Sequence, residues 1–160
     1  MAIKPTFNIA DIRRNTDAFM DAIRRAQIKR LQRVGEKCVI YAREAHPNNW
    51  QDQTGNLRSS IGYMVFVDGV AVAQSEFDQI AARNRIENVS YDGGKVGESL
   101  CRRIGEGTTG VCLVVVAGMN YAVHVESKGR DVLTGAEHLA ERELPRELEK
   151  LIDNINKATE

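Results

Sequence analysis

The chain is short of cysteine, of net charge and of long apolar runs. Its three cysteines, Cys38, Cys101 and Cys112, are an odd number with no C-x-x-C pair, so neither a disulfide framework nor a zinc knuckle is encoded and buried free thiols are expected. Twenty-two Lys plus Arg balance 22 Asp plus Glu, which excludes binding of nucleic acid or an anionic membrane by the whole surface. Charge-driven binding must be local. The longest unbroken apolar run, Val111 to Ala117, falls far short of the roughly 20 residues that cross a bilayer. The amino terminus carries no secretory apolar core, so a soluble protein made in the cytosol is expected. Against these absences stand 160 residues that are 42% hydrophobic, enough for one domain over 1–160 whose core needs no staple.

From Asp11 to Ala45 there is no proline, and Ile12, Phe19, Ile23, Ala26, Leu31, Val34, Cys38, Tyr41 and Ala45 recur at helical spacing. This predicts a long amphipathic helix ending near His46-Pro47, because the residue before a proline is pushed out of the helical region. The other face carries Arg14, Arg25, Lys29, Arg33 and Arg43, and Arg25, Lys29 and Arg33 stand at four-residue steps where like charges repel. A polar turn around Trp50 leads to Thr54-Gly55-Asn56-Leu57-Arg58-Ser59-Ser60-Ile61, where Asn56 is the expected cap of one helical turn.

Tyr63 to Val67 and Val70 to Ala73, joined by Asp68-Gly69, predict a β-hairpin on a type I′ turn. Residues 75–110 hold six of the 13 glycines and no long periodic pattern. They read as a flexible insertion between strands, with a short helix around Glu98 to Ile104. Val111 to Ala117 predicts a central strand buried on both faces and paired with the hairpin. Tyr121 to Glu126 reads as a strand or a bent helical turn. Thr134 and Glu137 have capping-box spacing and open a carboxy-terminal helix, with Leu144, Leu148, Leu151 and Ile155 on one face and Pro145 kinking or breaking it. This order of elements is α+β with a small, mainly antiparallel sheet.

Charge is uneven along the chain. Residues 1–46 carry ten basic against five acidic groups, net +5, and residues 131–160 carry four against eight, net −4. The two ends attract each other either within a subunit or between subunits. Gly105 to Gly110 spells G-x-G-x-x-G, but a helix is expected before it and a strand after it, the reverse of a nucleotide site. Gly94-Lys95 is no phosphate loop, since Val96 follows it. Cys112, His124 and Glu126 compose a nominal nucleophile set that no motif exposes at a helix start or elbow. No catalytic, cofactor or metal site is expected. The basic row of the first helix allows a second reading, a small DNA-associated protein.

Four features in this order resemble the minor tail-component family of long-tailed bacteriophages, the neck or tail-completion proteins that join head to tail. They are the long first helix, Thr54 to Ile61 (T-G-x-L-R-x-S-I), the strand ending in Asn120-Tyr121-Ala122-Val123-His124-Val125-Glu126 (Y-A-x-x-V-E), and the last helix. Ser127-Lys128-Gly129-Arg130 departs from the family, whose glycine follows its glutamate after one residue. The resemblance implies a virion protein with no enzymatic activity, a homo-oligomeric ring of six copies, contacts to the head connector and major tail proteins, and a channel that passes DNA without reading its sequence. It points to Arg25, Lys29, Arg33, Thr54, Asn56, Leu57, Arg58, Tyr121 and Glu126 as interaction residues.

Overall fold

A computed structural model describes residues 8–44, 50, 54–78 and 92–159. The chain is α+β, in the order α1 (Ile9–Arg43), α2 (Asn56–Ser60), β1 (Ile61–Val67), β2 (Val70–Gln74), α3 (Gly93–Gly105), β3 (Val111–Ala117), α4 (Ala122–Ser127) and α5 (Thr134–Thr159). The Asn8 side chain caps α1 by accepting from the Ala10 N–H at 3.0 Å. At its other end the half-buried Arg43 donates to the carbonyls of Ile61 and Glu76, so it ties helix to sheet instead of facing solvent. The expected stop at His46-Pro47 lies outside the described residues.

The sheet is antiparallel in the order β2-β1-β3. The hairpin forms as expected, with Asp68 (φ 48°) and Gly69 (φ 80°) both at positive φ. The central strand, however, is β1 and not Val111 to Ala117. β1 has six of its seven residues buried, whereas β3 lies at the edge with only Val114 and Val116 buried. β1 needs apolar residues on both faces because both are covered. Tyr63 and Val65 pack with Val34 and Cys38 of α1, while Met64 and Phe66 pack with Cys101 of α3.

The glycines of 92–110 form structure where flexibility is expected. Gly93, Gly94, Gly97 and Gly105 are buried within α3, which starts five residues before Glu98. A Cβ on Gly97 would strike the Ser60 carbonyl, and one on Gly105 would strike the Phe66 ring. Gly97 thus brings backbone against backbone, and Gly105 makes room for the Phe66 ring. The expectation of flexibility for residues 79–91 falls outside the described residues. The G-x-G-x-x-G stretch closes onto the hairpin turn, with Gly110 N–H donating to Asp68 Oδ1 at 2.8 Å and Asp68 N–H to the Gly110 carbonyl at 2.9 Å.

The segment after Gly118 resolves as the short helix α4, so the strand of the family motif stops at Ala117. α5 is one helix through Pro145 and not two. The proline withdraws a single N–H from the ladder, and α1 grips α5 on either side of it through Lys37 with Glu143 and Arg30 with Glu147. The capping box also yields to other groups. The Thr134 hydroxyl donates to Glu126, and the Glu137 N–H bonds to the Leu133 carbonyl at 2.8 Å.

Candidate assembly interface

The motif residues that carry the resemblance are spent inside the subunit. Gly55, at φ 77°, is the residue before α2, and Asn56 is the first helical residue, not its cap. The Thr54 hydroxyl accepts from the Asn56 N–H at 3.4 Å. Asn56 and Leu57 are buried, and the guanidinium of Arg58 lies 5.8 Å from the centre of the Trp50 ring, within cation–π range. Ser59 Oγ donates to the Gly55 carbonyl at 2.7 Å, and Ser60 Oγ accepts from Met119 N–H at 3.3 Å. Thr54 to Ile61 is thus a buried junction joining α1, the sheet and α3.

The second motif has the same character. Tyr121 precedes α4 and is half-buried. Glu126 Oε1 accepts from Leu133 N–H at 3.1 Å, Thr134 N–H at 2.8 Å and Thr134 Oγ1 at 2.6 Å. Burial works against the charge of Glu126, but the bonds from Thr134, Leu133 and Val132 outweigh it and hold its pKa below the ordinary value. Its carboxylate, together with Asp131 Oδ1 accepting from Gly135 N–H at 2.8 Å, supplies the orphan donors of α5 with partners.

The basic row is split by the fold. Arg25 and Lys29 are exposed and make no ion pair among the described residues, whereas Arg33 reaches Glu147 at 3.9 Å. Arg30, not singled out from the sequence, is the better-buried partner of Glu147 at 2.9 Å. The charge asymmetry of the two chain ends is therefore answered within one subunit. Lys150 and Arg30 hold the Glu147 carboxyl at about 2.

Exposed apolar residues are scattered over the described surface, and two places group them or form a cleft. The first is an arm. The pairs Arg30 with Glu147 and Cys38 with Ala136 run α1 and α5 antiparallel, so α5 ends about level with Ala18 and the first two turns of α1 stand clear. Residues 8–22 are all exposed, with Ile9 64%, Ile12 48%, Phe19 41% and Met20 54% exposed. The second is a cleft of about 660 Å³ where α5 rests on α1 and leaves a gap beside β3. Val34, Leu113, Ala140 and Leu144 line it, with Thr109 and Glu137 at exposed positions of its wall.

The sequence places Ile12 and Phe19 on the apolar stripe of the helix, but a stripe says nothing about what covers it. Length is the missed signal. A 35-residue helix runs to about 52 Å, and a seven-residue strand spans about 24 Å, so the sheet cannot cover the whole stripe.

The nominal nucleophile set does not come together as a strand pair. His124 and Glu126 stand on α4, where two-residue spacing points them apart, and Glu126 is engaged by α5. No group of three or more His, Cys, Asp or Glu among the described residues is placed to hold a metal ion. No described helix is long and apolar enough to cross a membrane. No protein-family model, curated protein or solved structure matches this chain.

Proposed function

We propose that this chain is a structural subunit of the neck or tail of a long-tailed bacteriophage, one of several identical copies forming a ring that joins or completes the tail at the head connector. The resemblance of Thr54 to Ile61 and of Tyr121 to Glu126 supplies the class, and a ring of six is the size it implies. One observation carries the reading. The motif residues are committed to holding the chain together, while the exposed surface includes an apolar arm and an apolar cleft, which suit protein partners. In this reading the partners are copies of the chain, the head connector and the major tail proteins, the location is the virion, and DNA passes the channel without sequence-specific contact.

Two measurements test it. Negative-stain images of the purified chain are expected to contain closed rings, and disrupting its gene in the producing phage is expected to leave DNA-filled heads and separate tails. Normal joined virions without the protein would overturn the proposal. The exposed Arg25 and Lys29 favour a second reading, a DNA-associated protein. Steeply salt-dependent duplex binding lost in Arg25→Gln with Lys29→Gln would select that reading instead.

A further inference from the structure

We propose that the arm of one copy seats in the cleft of the next, so that copies of this chain join head to tail. The inference rests on the ring reading and specifies its interface. The arm offers Ile9, Ile12, Phe19 and Met20, each at least 41% exposed. The cleft offers Leu113, Ala140 and Leu144, each partly exposed. Both surfaces lose free energy to water in the lone subunit.

The arm cannot reach the cleft of its own chain. Ile12 and Leu31, which also lines the cleft, stand on one unbroken helix, and nineteen residues of helix hold them about 28 Å apart. Filling the cleft with the molecule's own arm would require α1 to break. An arm seated in the cleft therefore comes from another molecule, and a second copy carries the complement in chemistry and in continuity. The arm stripe extends the face by which α1 already holds α5, since Tyr41, Cys38 and Arg30 of that face meet Asp131, Ala136 and Glu147. Seated in the cleft, the arm would again lie along α5, through Ala140 and Leu144. Charges at the margins are opposite. Arg13 flanks the arm stripe and Glu137 stands on the cleft wall, each without an ion pair among the described residues.

Because arm and cleft are different patches, the contact is heterologous. Each added copy presents a new free arm and a new free cleft, and the series ends in a ring where the rotation closes. Arm against arm would stop at two copies and leave both clefts open.

Complementation of two variants tests this. Ile12→Asp with Phe19→Asp disables the arm, and Thr109→Trp with Glu137→Trp blocks the cleft; all four positions are exposed in the subunit, and circular dichroism checks the fold. Light scattering after size exclusion is expected to find wild-type assemblies beyond the dimer, monomers of each variant alone, and one-to-one heterodimers when the two are mixed, since each brings the surface the other lacks. Rings untouched by either variant would overturn the arm-in-cleft contact and leave the ring reading standing. Wild-type dimers lost only in the arm variant would overturn it in favour of arm-to-arm pairing. A wild type monomeric at every concentration, with no assembly on added connector, would overturn the ring reading and this contact together. Phe19→Cys with Ala140→Cys provides a check that does not depend on bulky changes. Oxidation is expected to give a covalent ladder of copies beyond any formed by the native cysteines, and its absence would count against the contact.

Discussion

Arg30 and Glu147, 117 residues apart in sequence, meet at 2.9 Å with only 14% and 5% of their side chains exposed. The pair ties α1 to α5. Lys150, at 2.7 Å from the other oxygen, completes the partners of the carboxylate.

Glu147→Gln is expected to cost about 2 kcal/mol at neutral pH, because the guanidinium of Arg30 loses its charged acceptor in a poorly hydrated place. The pH dependence has a definite sign. The carboxyl lies at about 2 in the fold against an ordinary value of 4.5, so its contribution is complete above 4.5 and is lost as pH falls from there to about 2. Urea denaturation at several pH values checks this, and the gap between wild type and variant is expected to close at the acid end of the window.

Gly97→Ala and Gly105→Ala are each expected to destabilise by about 1–3 kcal/mol, through overpacking against backbone and a buried ring. The added methyl meets the Ser60 carbonyl in one case and the Phe66 ring in the other. Gly107→Ala is the control, since its Cβ would approach only the Ile104 carbonyl, at 3.9 Å. Thermal melts of the three variants compare them directly.

Glu126→Ala is expected to lose about 1–2 kcal/mol by stripping the first turn of α5 of its acceptor. Hydrogen exchange is expected to speed up at Leu133 and Thr134, whose N–H groups Glu126 now holds. Unchanged exchange there would mean the carboxylate does not cap the helix in solution.

Tyr63 gives an alkaline counterpart. Burial, with Glu36 beside it, pushes its hydroxyl up to about 12 from an ordinary 10.0. The folded state keeps a proton that the unfolded state gives up, so the contribution of Tyr63 is full below 10 and is lost as pH rises toward about 12. Tyr63→Phe is expected to reduce that slope and to leave the part contributed by the Cys101 thiol, which burial pushes up to about 12, as followed by denaturation across the same range.

Much of the fold is legible in the sequence because its signals are local. The helical stripe of α1 and the Asp68-Gly69 turn each depend on a few neighbouring residues. The errors share a cause. Whether Val111 to Ala117 is central or at the edge depends on the order β2-β1-β3, which no local pattern encodes. The glycines of α3 look like freedom in one dimension and are close packing in three, since Gly97 meets Ser60 and Gly118 only after the chain has folded. Asn56, Leu57 and Glu126 are conspicuous in sequence because the subunit needs them, whereas the apolar arm and cleft are defined by the absence of cover.

The unbroken course of α1 has a mechanical consequence. From Ile12 on the arm to Gly35, which lies flush against the Tyr63 ring, the helix contains no proline and no interruption at which it could flex. A load applied to the tip is carried down a single rod into the central strand. The subunit is thus a lever whose fulcrum is its own core, and a shift in the angle of the arm must turn the sheet with it.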